Sequence, residues 1–139
     1  MKKTQKAQNF FNDGCNCAQA VLAAFSDEIG QDEKTLIGAS AAFGGGLAGT
    51  HENVCGAVSG MLAAMSMIRG YVDPKDKQAK ADFYAVLKPM LEEFKKRNGS
   101  LTCREIITRA EGSAQKTRCL NCVSCAAELA EQNISKLRK

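Results

Sequence analysis

Cys55-Gly56-Ala57-Val58-Ser59-Gly60-Met61-Leu62-Ala63-Ala64-Met65-Ser66-Met67-Ile68 is the longest apolar run of the chain, 14 residues ahead of Arg69. A helix that crosses a bilayer needs about 20, so the run reads as a helix buried inside a protein core. Gly56 and Gly60 stand four apart, and Ala57, Ala63 and Ala64 keep the surface thin. A second helix can therefore approach closely. That second helix belongs either to the same chain or to another copy, which leaves a homodimer open.

Working outward, the flanking segments also read as helices. Thr4 to Phe11 is a short amphipathic stretch ended by the turn signal Asn12-Asp13-Gly14. Asn16 to Ile29 carries Ala18, Val21, Leu22 and Phe25 at helical spacing, with Asn16 as N-cap and Gly30 as C-cap glycine. Asp32 starts a helix that runs to about Phe43 and stops at Gly44-Gly45-Gly46. Beyond the apolar run, Asp73-Pro74 opens the longest helix, which reaches Arg97 on a core stripe of Phe83, Val86, Leu87, Met90, Leu91 and Phe94. Pro89 is expected to bend it, because the ring removes one backbone hydrogen bond. Asn98-Gly99 ends it, and helices from Thr102 to about Ala110 and from about Asn121 to Leu137 follow.

No strand, repeat or linker is evident. The 139 residues are 45% apolar but only 6% aromatic, with no Trp and two Pro. Small apolar residues suit packed helices better than a β-sandwich. The expectation is an all-α, compact bundle of about five to six helices, a single domain over residues 1–139.

The net charge of +4 is mild, and Lys95-Lys96-Arg97 and the tail Lys136, Arg138 and Lys139 read as solvated helix ends. Without a basic stripe carrying interleaved aromatics, nucleic-acid binding is not expected. Neither is a membrane partner. Lys2 and Lys3 are followed by no apolar segment, so no signal peptide is expected and the location is taken as cytoplasmic.

Seven cysteines are the outlying feature. A reducing cytoplasm disfavours a structural disulfide framework, and an odd number cannot all be paired. They fall in four places: Cys15 with Cys17, Cys55, Cys103, and the triplet Cys119, Cys122 and Cys125. Each place is read as lying at or near the start of a helix, where the dipole and free amides favour a thiolate. Four such placements suggest one shared site. The spacing Cys119-x-x-Cys122-x-x-Cys125 is that of iron–sulfur ligand runs, with a fourth ligand to come from Cys17, Cys55 or Cys103. It also suits a dithiol or a four-thiolate zinc site.

Two patterns are discounted. Gly44-x-Gly46-x-x-Gly49 matches the dinucleotide fingerprint, but that motif works only between a strand and a helix. The glycines read instead as a loop that lets the backbone pass close to Cys55. His51, the only histidine, is able to act as ligand or proton donor, yet reads as loop surface.

At these segments the chain resembles the C_GCAxxG_C_C family, named for its own cysteine pattern and described as redox-active. The resemblance rests on Asn16-Cys17-Ala18-Gln19-Ala20-Val21-Leu22, Ala42-Phe43-Gly44-Gly45-Gly46 and Val54-Cys55-Gly56-Ala57-Val58-Ser59-Gly60. It continues through Phe94-Lys95, Asn98-Gly99-Ser100-Leu101-Thr102-Cys103-Arg104-Glu105 and the segment before Ala126-Ala127-Glu128. It implies a helical bundle related to the N-terminal part of split-Soret cytochromes, with an iron–sulfur cluster held by Cys17, Cys55, Cys103 and Cys119. Cys122 and Cys125 are the alternative tail ligands. Haem does not carry over, since no Cys-x-x-Cys-His is present. Cys15, Cys122 and Cys125 are additions to the pattern and are the candidate redox thiols.

The resulting expectation is a thiolate-ligated iron–sulfur cluster that transfers electrons to a redox partner protein. Its rivals are an enzyme or carrier that works by thiol–disulfide exchange and a structural zinc module without redox turnover. Dithiol and zinc proteins are both colourless, whereas an anaerobically purified cluster protein is brown.

Overall fold

The computed structural model describes residues 1–108 and 114–137. Among these, the chain forms eight α-helices and no strand, an all-α fold. They are α1 (Lys3–Asn12), α2 (Cys17–Ala23), α3 (Ser26–Ile29), α4 (Glu33–Ala39), α5 (Gly56–Arg69), α6 (Lys77–Asn98), α7 (Cys103–Ile107) and α8 (Ala114–Asn133). Two 3-10 turns, Ala41–Phe43 and Ile134–Lys136, complete the described elements.

The caps act where the sequence places them. Asn16 and Gln19 form a reciprocal capping box at α2, each side chain bonded to the other's backbone N–H at 2.9 Å. Asp32 Oδ1 accepts from the Thr35 amide at 2.7 Å at the head of α4. Gly30 and Gly99 end α3 and α6 in the left-handed region, at φ 81° and 88°.

The eight helices exceed the expected five to six, and one of the extra helices has a local cause. The stretch Asn16 to Ile29 is two helices, because Phe25 leaves helical geometry at φ −104°, ψ 20° and turns its ring wholly into the core. Asp73-Pro74 forms a turn, and the long helix starts at Lys77 with Asp76 as its N-cap. That helix runs unbroken through Pro89. The last helix begins at Ala114, well before the expected Asn121, and ends at Asn133. The end of the helix expected to reach Ala110, and the tail residues Arg138 and Lys139, lie outside the described residues.

The core lies where α2, α5 and α8 meet, with α1 across α2 and α8 and with α6 laid on α8. Phe25, Leu22, Met61, Met65, Met90, Phe94 and Val123 fill it. The thin face of α5 is used within the chain: a Cβ added at Gly60 would stand 2.6 Å from the Ala18 carbonyl oxygen of α2. No helix among the described residues is long and apolar enough to cross a membrane.

Candidate redox site

Three cysteines sit at helix starts: Cys17 opens α2, Cys55 is the N-cap of α5, and Cys103 opens α7. Two chain crossings hold them together. The Cys55 amide donates to the Leu101 carbonyl at 2.7 Å, and the Cys103 amide to the Asn53 carbonyl at 2.8 Å, around an isolated Val54–Thr102 bridge. This pairing fixes the start of α5 beside the start of α7.

The glycine loop seals the same place. Gly45, Gly46 and Gly49 take φ of 61°, 71° and 72°, values L side chains rarely adopt. A Cβ at Gly46 would stand 2.8 Å from Cys103 Cβ, and one at Gly56 would stand 2.5 Å from Cys17 Sγ and 3.1 Å from Gly44 Cα. The loop therefore passes close to Cys17, Cys103 and the residue after Cys55. No strand precedes it among the described residues, so the strand–helix context of a dinucleotide site is missing.

The tail triplet is placed differently from the expectation. Cys119, Cys122 and Cys125 lie inside α8 and not at its start, so their sulfurs have no helix-terminal amides to lean on. Successive three-residue steps turn the helix by about −60° each, so the three sulfurs fan over about 120°. Cys122 points inward, bonded to Cys55; Cys119 stands near Cys17 and Cys103; Cys125 faces Arg97 and Asn98 on the opposite flank. The run cannot wrap one centre as a loop would.

A directed chain of hydrogen bonds links the buried sulfurs. The Cys17 thiol donates to Cys55, the Cys55 thiol donates to Cys122, and Cys122 Sγ donates to Asn98 Oδ1 at 3.6 Å. The Gly45 amide donates to the Cys17 sulfur and the Ala57 amide to the Cys55 sulfur. His51, held at φ 60°, brings Nδ1 to 3.3 Å from Cys103 Sγ. The lone histidine is thus part of the site and not plain loop surface. Cys15 stands apart on the turn before α2, half-buried, with Asp13 as its charged neighbour.

These thiols are held neutral. The bond it donates to Cys55, and then burial, drive Cys17 far above the ordinary thiol range. The bond it donates to Cys122 leads in pushing Cys55 up to about 12. Burial, with Cys17 and Cys119 nearby, pushes Cys103 up to about 11, against the pull of Arg104. Burial and Cys17 also raise Cys119. The helix-start amides do favour thiolate, as the sequence suggests, but crowding of thiols and loss of water outweigh them.

The donor set has the chemistry of a soft-metal site: buried sulfurs from four segments, with backbone N–H groups aimed at two of them. Its arrangement is a chain, and among the described residues no three His, Cys, Asp or Glu side chains are grouped so as to hold a single metal ion. A lone zinc, which draws four ligands to about 2.0–2.3 Å of one point, does not match this arrangement.

A family model described as "Putative redox-active protein (C_GCAxxG_C_C)" matches residues 15–133. The chain belongs to this family. All seven cysteines fall within the matched span, so the redox description of the C_GCAxxG_C_C family attaches to the region that carries the sulfur site. Comparison with curated proteins and with solved structures finds no match.

Proposed function

We propose that this C_GCAxxG_C_C protein is an electron carrier whose centre is an iron–sulfur cluster held by Cys17, Cys55, Cys103 and Cys119. The observation that carries the reading is the gathering of buried, protonated thiols from four segments. A nucleophilic cysteine needs a lowered pKa, from a cation or a helix start that prevails. Here Cys17, Cys55 and Cys103 are raised instead. A metal centre reverses that balance, since a coordinating thiol gives up its proton outright.

Such a cluster supplies one-electron transfer without bond making at the protein. The residues of this chain supply the rest. Gly45 and Ala57 amides bond to sulfur and so stabilise negative charge on Cys17 and Cys55. His51 offers a polar contact to Cys103. Cys17, Cys55 and Cys103 are buried and Cys119 is half-buried, which limits the access of water to a cluster held there. Cys119 is the favoured tail ligand, because it neighbours both Cys17 and Cys103 whereas Cys122 is bonded toward Asn98. Seven unpaired cysteines fit a reducing compartment, and the cytoplasm is the proposed location.

A second reading, thiol–disulfide exchange between Cys17 and Cys55, is favoured by their direct hydrogen bond. Anaerobic purification separates the two. A brown protein that bleaches on reduction and is colourless as Cys55→Ser supports the cluster. A colourless protein that gains a mapped Cys17–Cys55 disulfide on mild oxidation supports the exchange reading.

A further inference from the structure

His51 holds its backbone at φ 60°, in the left-handed region that is uncommon outside glycine. The loop fixes it there from several sides. Its amide donates to the Gly45 carbonyl oxygen at 2.8 Å, and Thr50 Oγ1 donates to the Gly46 carbonyl oxygen at 2.7 Å. Next along the chain, Glu52 is ion-paired with Arg104, which follows Cys103. Gly46 lies between the histidine and the cysteine: a Cβ there would stand 2.8 Å from His51 Cα and 2.8 Å from Cys103 Cβ. A bare backbone at Gly46 is what lets the half-buried ring reach the sulfur, with Nδ1 at 3.3 Å from Cys103 Sγ. Strained backbone that its surroundings hold in place this firmly is a mark of functional sites.

The direction of the contact depends on the state of the sulfur. While Cys103 is a thiol, either partner is able to donate. As a metal ligand it is a thiolate with no proton left, so the hydrogen bond survives only where Nδ1 carries the hydrogen. Backbone amides serve Cys17 and Cys55 in the same way, from Gly45 and Ala57. At Cys103 the donor comes from a side chain, which substitution can remove. Hydrogen bonds to the sulfurs help set the potential of a cluster, because they stabilise its more negative, reduced form.

We infer that His51 is a positioning residue that donates Nδ1–H to the Cys103 thiolate, orients that ligand and raises the reduction potential of the centre. The left-handed backbone at residue 51 is the strain the loop carries to make this contact. The inference deepens the cluster reading and rests on it.

The test compares the full chain with His51→Asn, His51→Ala and His51→Gly, all purified and reconstituted anaerobically. Iron content and midpoint potential are read on the loaded proteins, and denaturant unfolding on the metal-free ones. Asn tolerates left-handed backbone and carries an amide N–H on Cγ, where the imidazole carries Nδ1. It should keep the potential of the parent. Ala and Gly both lack a donor, and both should shift the potential below that of the parent. Water let in by a smaller side chain would shift it upward, since water also stabilises the reduced charge, so the sign separates the lost bond from a loosened site. Between these two, the metal-free Gly variant should unfold at higher denaturant than Ala, because only Ala keeps the left-handed strain. Equal potentials in all four proteins, a rise in Ala and Gly, or a fall in Asn as large as in Gly would overturn the inference and leave the cluster reading standing. Ala unfolding as late as Gly would overturn the strain. Iron lost from all three variants would overturn the donor role by making His51 a ligand. A parent protein that takes up no iron would sink the cluster reading and this inference with it.

Discussion

The backbone of Gly56 lies against the sulfur of Cys17, so close that a Cβ there would stand 2.5 Å from Sγ and 3.0 Å from the Phe43 carbonyl oxygen. A methyl group has no room unless α5 moves away from the glycine loop. Gly56→Ala should therefore destabilise the protein by about 1–3 kcal/mol, the usual cost of overpacking. Gly38→Ala, within α4 and with nothing within 4 Å of the added carbon, should instead stabilise by about 0.5–1 kcal/mol. Denaturant unfolding of both variants checks the contrast, and equal shifts would contradict the packing account.

Cys55 accepts a hydrogen bond from the Cys17 thiol and donates one to Cys122, at the centre of the sulfur chain. Cys55→Ser should abolish most iron uptake and leave far-UV helicity largely intact. Iron content equal to that of the parent would remove Cys55 from the ligand set.

In α8 the three sulfurs fan out, with Cys119 toward Cys17 and Cys125 toward Arg97. Of the three single serine substitutions, only Cys119→Ser should bleach the protein. Similar loss in all three would mean that the run grips the centre as a unit, against the helical geometry.

The metal-free protein should lose stability as the pH rises. Cys55 and Cys103 are pushed up to about 12 and about 11 from an ordinary thiol value of 9.0. Between those values the folded chain holds more protons than the unfolded one. Their contribution is complete below about pH 9 and is lost as pH climbs through 11 and 12. Denaturation midpoints should hold from pH 7 to about 9 and fall by pH 10.5, less steeply in Cys55→Ala. A slope unchanged by that substitution would contradict the assignment.

Helical class and most helix ends were legible because caps are local chemistry: Asn16 with Gln19, Asp32, Gly30 and Gly99 act within a few residues of themselves. The break at Phe25 was not, since it is set by where the ring finds core space. The start of α8 at Ala114 was hidden too, as Lys116-Thr117-Arg118 carries no cap or apolar repeat. That error put the tail cysteines at a helix start. Cys17, Cys55 and Cys103 stood out through their positions at helix starts, and the structure brings them to one neighbourhood. Asn98 and His51 could be read from sequence only as a helix stop and a loop residue. Their contacts with Cys122 and Cys103 depend on chain crossings made 24 and 52 residues away.

The most direct measurement is the iron, acid-labile sulfide and zinc content of anaerobically purified protein, taken with a count of thiols open to alkylation before and after unfolding. Iron and sulfide in equal amounts, little zinc, and protection confined to Cys17, Cys55, Cys103 and Cys119 until the cluster is released is the result expected here. Protein free of iron and sulfide after anaerobic reconstitution, with those four thiols alkylating no more slowly than Cys122, would contradict it.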